Sequence, residues 1–354
     1  MSAPASMTAA RTVAAETIEY TRAPVPAPTP GRAVVRVRCV TLCGTDLHIW
    51  EDDYATELPI VQGHEFSATV AALHPSDDGG PLALGDDVAV SPVASCGECY
   101  ACSIDRPNAC AHMSVYGCYG DDGALAEYLL VPLDRTRRLP EGLSVDVAPL
   151  WEPVSIALQA VARGRARPGE RVVISGAGPI GLFALLRLKE LGCDVVVLDT
   201  DAERLGLAAG FGATATLTVT PGFPSDEQRR QLDEWTQAQG PCLVIDATGA
   251  PASLAASIEL VAPAGRVVAV GISDREVALS MRTLPVKELD LLGSRNSLHL
   301  MDGALDLLSR HQAECRALIT HRFPFAELDA AFRTLRDRTE RVGKIAIDLE
   351  EMSS

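Results

Sequence analysis

Short apolar runs, each closed by glycine, proline or acidic residues, dominate the first part of the chain. Four of them are AVVRVRCV, SATVAAL, DVAVSPV and EYLLVP. Short β-branched runs between turn signals predict strands, and many such strands in succession predict an antiparallel, barrel-like region. We therefore expect a β-rich region from about Thr12 to Leu139.

The pattern changes near Glu152, where strand-like runs begin to alternate with helical ones. The strand-like runs occupy residues 171–175, 194–199, 242–246, 266–270 and 289–294. Because alternating strands and helices pack best with the helices covering a parallel sheet, this part of the chain predicts an α/β domain.

The helical signal is clearest at residues 179–191, where Pro179 stands in the first turn and Gly192 follows the last. Proline at the start and glycine after the end are typical of a helix. After about Ser297 the pattern predicts one more helix and then a strand, KIAIDL. Residues 1–10 show neither the strand pattern nor the helix pattern, and we expect a frayed tail there.

The charge balance excludes some classes of partner. The chain has 354 residues, with 47 acidic against 31 basic side chains and a formal charge of -16. Because lysine and arginine form no cluster, we expect neither nucleic acid nor a membrane as a partner. The opening MSAPASMTAARTVAAE lacks the features of a secretory signal, and no window is long enough to span a membrane. We expect a cytoplasmic protein of two domains.

Four of the ten cysteines follow a C-x2-C-x2-C-x7-C pattern: Cys96, Cys99, Cys102 and Cys110. Two disulfides and one metal ion both fit four cysteines. Structural disulfides are rare in a reducing compartment, and two-residue gaps let thiolates turn toward one tetrahedral Zn2+. Because all four ligands are thiolates, no position stays open to water, and we expect a structural zinc site.

A second possible set of metal ligands is dispersed over three segments. Cys43 lies in CGTDLHIW, His64 and Glu65 lie in GHEF, and Glu152 lies in WEPVSIALQA. One thiolate, one imidazole and one or two carboxylates can leave a coordination position open, as a catalytic zinc requires. Glu152 precedes Pro153, so it also fits a carboxylate at a helix N-terminus. Spacing alone does not join these segments.

A glycine-rich turn, GAGPIG, follows a predicted strand and opens a predicted helix. Its chemistry-bearing positions are Gly176, Gly178, Pro179, Ile180 and Gly181. In a G-x-G-x-x-G turn the first glycine permits the tight turn, the second lets a pyrophosphate approach, and the third allows close packing of helix and strand. The turn therefore predicts a dinucleotide site.

The residue at the end of the next strand bears on the choice of dinucleotide. Asp199 stands where a carboxylate can accept hydrogen bonds from the adenosine ribose and would repel a 2'-phosphate. This favours NAD over NADP, although Arg204 nearby keeps NADP open. A cap at the end of the strand is the other interpretation of Asp199.

In this order the motifs resemble the zinc-dependent medium-chain alcohol dehydrogenase superfamily, and within it the polyol (sorbitol) and threonine dehydrogenase branch. The matching pieces are CGTDLHIW, GHEF, the four-cysteine motif, EYLLVP, EPVSIALQA, GAGPIG, VVVLDTDAER, DATGAP, GRVVAVG and LLGSRNS. The resemblance implies a GroES-like antiparallel β-barrel catalytic domain, residues 1–155 completed by 297–354. It also implies a Rossmann domain with a doubly wound parallel sheet, residues 156–296, and a homo-oligomer, either a dimer or a tetramer.

The resemblance assigns roles around the metal. Cys43 and His64 match catalytic zinc ligands. Glu65 matches a carboxylate that binds the metal directly or through water, and Glu152 stands where many relatives have a second cysteine. Asp46 matches a group that orients the ligating histidine.

Other roles follow from the same resemblance. Thr45 and His48 match the family's proton relay, and Val270 and Gly271 resemble a wall of the nicotinamide pocket. Lys344 resembles a cation that meets the pyrophosphate, although a surface lysine fits the sequence equally well.

Trp50, Arg295 and Asn296 are candidate substrate contacts. The alternatives are packing for Trp50 and a brace at the domain junction for Arg295 and Asn296. In LLGSRNS, Arg295 and Asn296 replace the aromatic residue and arginine of sorbitol-type enzymes, so simple sorbitol oxidation is not expected. We expect a zinc-dependent enzyme, with two zinc ions per chain, that transfers a hydride between NAD and a secondary alcohol, namely a polyol, sugar, cyclitol or amino alcohol. The alternatives are an NADP-dependent aldehyde or enoyl reductase on the same scaffold and a non-catalytic protein that senses zinc or nucleotide.

Overall fold

The computed structural model describes residues 4–77, 80–220, 223–297, 299–337 and 341–349. The chain divides into two compact units. The first contains the described residues up to Glu152 and those from Met301 onward, and the second is Pro153–Leu300. The domain boundaries expected from the sequence, at 155/156 and 296/297, stay predictions.

The N-terminal part of the first unit consists mainly of short strands. They are β1 (Ser6–Ala14), β2 (Thr17–Pro24), β3 (Arg32–Leu42), β4 (Glu65–Ala72), β5 (Asp87–Val90), β6 (Val93–Ala94), β7 (Ser114–Tyr116), β8 (Gly120–Asp121), β9 (Tyr128–Pro132) and β10 (Thr136–Arg138). Two short helices lie between strands, α1 (Gly44–Trp50) and α2 (Tyr100–Ser103).

Strands and helices then alternate through the second unit. The helices are α3 (Trp151–Arg163), α4 (Pro179–Glu190), α5 (Ala202–Gly210), α6 (Asp226–Thr236), α7 (Pro251–Leu260) and α8 (Thr283–Lys287). The strands are β11 (Arg171–Ser175), β12 (Asp194–Asp199), β13 (Ala215–Thr218), β14 (Leu243–Asp246), β15 (Arg266–Ala269) and β16 (Asp290–Gly293).

The chain then returns to the first unit. It adds α9 (Met301–Arg310), α10 (Gln312–Arg316), β17 (Ile319–Pro324), α11 (Leu328–Asp337) and β18 (Lys344–Asp348). Single 3-10 turns occupy Pro75–Asp77, Pro107–Ala109, Leu133–Arg135, Ala148–Leu150 and Phe325–Glu327. No helix in the described part of the chain is long and apolar enough to cross a membrane.

The large sheet of the first unit has the order β10-β5-β4-β3-β18-β17, with β9 also paired to β3. β18 pairs antiparallel with β3, so a strand that follows the whole second unit in sequence completes this sheet. The second unit has a parallel sheet in the order β13-β12-β11-β14-β15-β16. Counted within the unit this is 3-2-1-4-5-6, the order of dinucleotide-binding sheets. The predicted combination of an antiparallel region and a doubly wound parallel sheet is confirmed.

Local sequence accounts for the elements that position the functional residues. Val172, Val173 and Ile174 of β11 are completely buried, as expected for a central strand covered on both faces. Pro179 begins α4, and the apolar side of that helix is buried from Leu182 to Leu188.

Two expectations about the chain ends are wrong. Ser6–Ala14 is not a frayed tail but strand β1, paired antiparallel with β2, and only residues 1–3 of the expected tail lie outside the described residues. The alanines and threonines of β1 show little alternation between apolar and polar positions. Ala9 and Ala10 are nevertheless buried by tertiary packing. Among the described residues after Ser297 the structure has three helices and two strands rather than one of each.

The main core of the first unit corrects the expected role of Trp50. Trp50 is fully buried, and its ring stacks on Phe332 of α11 with centroids 5.3 Å apart. The guanidinium of Arg336 lies 5.5 Å from the centroid of the Trp50 ring. The side chain therefore joins α1 to α11 in the core, and we no longer assign it to substrate contact.

Replacing Trp50 with leucine is expected to lower the free energy of unfolding by about 2 kcal/mol, because the stack with Phe332 is lost and a cavity is left. Urea denaturation followed by circular dichroism measures this change. Leu84, which is 66 % exposed in the same unit, supplies the control, since Leu84→Ala should change stability by less than about 0.5 kcal/mol. Unchanged stability of Trp50→Leu together with weakened substrate binding would contradict the core role.

Candidate functional site

Cys43 is held at the start of α1 by reciprocal hydrogen bonds. The thiol Sγ accepts a hydrogen bond from the backbone N–H of Thr45 at 3.2 Å, and the backbone N–H of Cys43 donates to Asp46 Oδ2 at 2.9 Å. This is the capping-box arrangement with a thiol in place of a hydroxyl. The position and direction of the sulfur are therefore fixed by the helix start.

The imidazole of His64 lies between this thiol and a buried carboxylate. His64 Nε2 is 3.3 Å from Cys43 Sγ. The other ring nitrogen, Nδ1, faces Asp46 Oδ1 at 3.5 Å and Cys118 Sγ at 3.4 Å. Asp46 is completely buried. Its carboxylate lies beside Nδ1, where the sequence predicted a group that orients the histidine. Sequence reasoning missed Cys118, which carries no ligand-like spacing.

The charges around His64 determine its protonation. Burial lowers the pKa of His64, but the nearby Cys118, Cys43 and Asp46 raise the pKa well above the usual value. A metal ion at Nε2 would have to displace this proton, because only the neutral imidazole offers a lone pair.

Glu65 and Glu152 also lie close to His64. One donor atom each from His64, Glu65 and Glu152 fall within 4.8 Å of one another, as do donor atoms from Cys43, Asp46 and His64. Burial, and next the charge of Glu65, raise the pKa of Glu152 to about 7. The structure thus brings together, in the first unit, all four side chains that the sequence left dispersed.

Lys344 lies inside this cluster and not at the surface. Its Nζ is 2.5 Å from Glu65 Oε1 and 2.6 Å from Oε2, and the two side chains are only 6 % and 2 % exposed. Burial lowers the pKa of Lys344, but Glu65 and Cys43 raise the pKa above its ordinary value. The surface-lysine alternative is wrong. The expected contact with pyrophosphate stays a prediction, while the ammonium observed here neutralises Glu65.

The donor set fits a catalytic zinc ion. Cys43, His64 and Glu152 offer sulfur, nitrogen and oxygen, the three ligand types that protein zinc sites use. Both oxygens of Glu65 contact Lys344, so the Glu65 carboxylate is held by an ammonium group.

Thr45 and His48 lie on α1, on the same helix that Cys43 begins. They are three residues apart, a spacing that makes side chains neighbours on a helix surface. His48 is exposed, and its Nδ1 lies 2.9 Å from Asp53 Oδ1. Asp53 is another residue that sequence reasoning missed.

The four-cysteine cluster has the dimensions of a zinc tetrahedron. The Sγ–Sγ distances are 3.5 Å for Cys99–Cys102, 3.8 Å for Cys99–Cys110 and 3.5 Å for Cys96–Cys110. A zinc–sulfur bond of about 2.3 Å gives tetrahedral edges of about 3.8 Å, whereas a disulfide requires about 2.05 Å. All four thiols are free, so the cluster fits one Zn2+ and not two disulfides.

Backbone groups favour the thiolate form of two of these cysteines, whereas burial, and next the Cys99 side chain, raise the pKa of Cys102 to about 12. The N–H groups of Ala111 and Cys102 lower the pKa of Cys99 to about 6. The N–H groups of Cys96 and His112 both lie 3.3 Å from Cys110 Sγ and lower the pKa of that thiol. Thiolates are the form that binds zinc.

The glycine-rich turn joins β11 to α4 in the second unit, with Pro179 and Ile180 beginning the helix. Gly176 has φ +100°, a conformation that favours glycine. A Cβ on Gly181 would lie 1.9 Å from the carbonyl oxygen of Gly176, whereas a Cβ on Gly178 would meet no atom within 4 Å. The open space at Gly178 lies at the start of α4, where a helix N-terminus favours a phosphate.

Asp199 ties the end of β12 to this turn. Its Oδ2 accepts a hydrogen bond from the N–H of Ala177 at 2.6 Å, and its Oδ1 accepts one from the N–H of Asp201 at 2.9 Å. This agrees with the strand-end interpretation and leaves further lone pairs on both oxygens. Arg204 Nε lies 3.7 Å from Asp201 Oδ2, so this arginine already has a carboxylate neighbour.

The remaining predicted residues follow strands of the second unit. The N–H groups of Val270 and Gly271 donate to the carbonyl oxygen of Asp246, at 2.9 and 3.4 Å. Asp246 is buried, a further residue that the sequence reasoning left without a role although it lies in DATGAP. Arg295 and Asn296 follow β16, with Arg295 exposed. Their role in substrate binding stays a prediction.

Comparison with known protein families divides the chain in the same way. The alcohol dehydrogenase GroES-like domain matches residues 29–141, and the zinc-binding dehydrogenase domain matches residues 179–310. Starvation-sensing protein RspB of Escherichia coli K12 is 31% identical over 332 residues, 92% of this chain and 95% of that protein. Sorbitol dehydrogenase of Homo sapiens is 30% identical over 318 residues, 88% of each chain.

Solved structures give the same result. The crystal structure of RspB from E. coli CFT073 with NADH is 30% identical and covers 98% of this chain and 100% of that chain, with a TM-score of 0.87. A zinc-binding dehydrogenase from Sinorhizobium meliloti 1021 bound to NADP is 26% identical with a TM-score of 0.89, again over 98% and 100% of the two chains. The chain therefore belongs to the zinc-dependent medium-chain alcohol dehydrogenase superfamily, in its polyol dehydrogenase-like branch.

Proposed function

We propose that the protein oxidises a secondary alcohol of a polyol, sugar, cyclitol or amino alcohol with NAD+ and reduces the ketone in the reverse direction. The observation that carries the proposal is that donor atoms of Cys43 and of Glu152 each lie close to His64, and that Cys43 begins a helix which also carries Thr45 and His48. A structural site would need only the ligands. Hydroxyl and imidazole groups next to them are what proton removal from an alcohol requires.

For the catalytic zinc we propose Cys43, His64 and Glu152 as direct ligands, with Glu65 in the surrounding shell. The contact of Lys344 with both Glu65 oxygens supports this division, because a carboxylate neutralised by an ammonium is a weaker metal ligand. When bound, zinc supplies Lewis acidity that makes an alcohol hydroxyl more acidic. We propose the second zinc of each chain at the four-cysteine cluster, with a structural role.

Thr45 and His48 then provide a path for the substrate proton to reach solvent. The hydrogen bond from the Thr45 backbone N–H to Cys43 Sγ keeps Thr45 close to the proposed metal ligands. His48 is exposed, so its ring can exchange a proton with water. Thr45 Oγ would accept the substrate proton while its own hydroxyl proton passes on toward His48, and His48 would deliver that proton to solvent.

We propose NAD as the preferred cofactor. The Asp199 carboxylate at the end of β12 supports this, because it would repel a 2'-phosphate, and Arg204 lies beside the Asp201 carboxylate. The related structures with NADH and with NADP show that the family uses both dinucleotides.

We also propose a cytoplasmic homo-oligomer. All ten cysteines are free, which suits a reducing compartment. In the described residues β16 pairs only with β15. The segment that leads from β15 into β16 has exposed apolar side chains, among them Ile272, Met281, Val286 and Leu291, with exposed fractions of 84, 88, 65 and 39%. An open strand edge and exposed apolar side chains support pairing with a second copy of the chain.

Cys43→Ser is expected to abolish turnover and to lower the zinc content from two to one per chain, while NAD+ still binds. Turnover is measured as NADH absorbance with a panel of polyols, cyclitols and amino alcohols, and zinc by elemental analysis. Cys242→Ser, in the second unit, is the control and should keep both zinc ions and full activity. Wild-type activity toward no secondary alcohol, or full activity of Cys43→Ser, would reject the proposed function.

Gly178→Ala and Gly181→Ala are expected to differ. Gly178→Ala should keep its melting temperature but bind NADH at least about tenfold more weakly, because its methyl group enters the space for the pyrophosphate. Gly181→Ala should instead lose stability, because its Cβ would overlap the Gly176 carbonyl. Thermal unfolding and NADH fluorescence titration separate the two effects. Equal binding by wild type and Gly178→Ala would contradict the cofactor site.

A Met281→Asp/Val286→Asp double variant is expected to have a lower molar mass in light scattering than the wild type, since two charges in an apolar contact disfavour association. Leu84→Asp, an equally exposed leucine in the first unit, should leave the mass unchanged. If the wild type is already monomeric, the oligomer proposal fails.

A further inference from the structure

The three residues after α1 fold back onto the helix they leave. The N–H of Asp52 donates to the carbonyl oxygen of Ile49 at 3.1 Å, and the N–H of Asp53 donates to that of His48 at 3.0 Å. Asp52 has φ +60°, a left-handed conformation that aspartate and asparagine tolerate better than most residues. This reversal brings the Asp53 side chain back to the His48 ring.

The contact is made to one specific nitrogen. His48 Nδ1 lies 2.9 Å from Asp53 Oδ1 and 3.1 Å from Oδ2. A carboxylate only accepts hydrogen bonds, so Nδ1 must carry the hydrogen, and in the neutral ring Nε2 is then the nitrogen with the free lone pair. The pair therefore selects one tautomer of His48 and one direction for its basic nitrogen.

A simple surface ion pair is the competing explanation. The two side chains are 53 and 56% exposed, and exposed pairs contribute little to stability. The hydrogen bond from the Asp53 backbone N–H to the His48 carbonyl oxygen distinguishes this pair from an ordinary surface pair. It fixes the position of the Asp53 carboxylate relative to the His48 ring through the local chain geometry. Glu51 also has an oxygen near His48, within 4.8 Å, yet the Nδ1–H of His48 donates to Asp53.

We propose that Asp53 is a positioning residue for the proton relay: it holds His48 with Nε2 ready to accept the proton that leaves through Thr45. The proton forms a bond to Nε2, the Asp53 carboxylate stabilises the resulting imidazolium, and the proton then passes from Nε2 to water. This rests on the proposed function, because it requires His48 to carry the substrate proton.

The burial of the other α1 side chains fixes the helix, so the contact with Asp53 is what restrains the exposed His48 side chain. Leu47, Ile49 and Trp50 are buried, so the helix itself is fixed. His48 is the exposed side chain among them and would otherwise sample several rotamers. Holding it in one rotamer lowers the entropy lost each time a proton is transferred.

Asp53→Asn tests the proposal, with Asp52→Asn as the matched control that removes the same charge one residue away. Single-turnover NADH formation at saturating alcohol is expected to slow about tenfold in Asp53→Asn, with the alcohol KM, zinc content and melting temperature unchanged. Asp52→Asn should stay within twofold of the wild type. Added imidazole at constant pH should restore the rate of Asp53→Asn and leave the wild type unaffected, a rescue that a merely structural defect would not give.

A double-mutant cycle with His48→Gln separates failure of this inference from failure of the proposed function. If Asp53 acts through His48, adding Asp53→Asn to His48→Gln causes no further loss. An equal additional loss, or a wild-type rate in Asp53→Asn while His48→Gln is slow, overturns the positioning role but leaves the relay. A wild-type rate in His48→Gln itself overturns the relay and the positioning role with it.

Discussion

The buried ion pair between Lys344 and Glu65 is the interaction on which the rest of the candidate site depends. Breaking a buried pair by removing one partner leaves an uncompensated charge and costs about 3–5 kcal/mol. Lys344 begins β18 and Glu65 begins β4, and both strands flank β3 in one sheet. The placement of β4 and β18 in the sheet therefore also determines whether the charge of Glu65 is neutralised. With Glu65 neutralised, Cys43 and Glu152 are the members of the proposed ligand set that would balance the charge of a divalent metal.

The sequence predicted features that depend on neighbours along the chain. β11 and α4 were predicted with nearly their observed bounds, since a short β-branched run and a proline-initiated helix are local signals. The closed tetrahedron of the four cysteines was predictable for the same reason, because its ligands lie in one loop. Resemblance supplied what spacing could not, namely that Cys43, His64 and Glu152 belong together.

Features that depend on distant contacts were missed. The sequence left Trp50 open between pocket and packing, because it does not show that Phe332, nearly three hundred positions away, stacks on the indole ring. The partner of Lys344 could not be read from KIAIDL, where a lysine followed by alternating apolar residues suggests only an edge or a surface. β1 escaped notice because alanine and threonine give little contrast between faces, and the pairing with β2 decides their burial. Tertiary packing overrode local pattern in each case.

The position of β18 in the sheet has a consequence for biosynthesis. This strand follows the entire second unit in sequence, yet it lies between β3 and β17 and carries the cation that neutralises Glu65. A ribosome releases the chain from the N-terminus, so the second unit can fold while the first still lacks an interior strand. During that interval β3 has an unpaired edge and the carboxylates have no ammonium. The Lys344–Glu65 pair can therefore form only after the second unit has been synthesised, although Glu65 is synthesised before that unit.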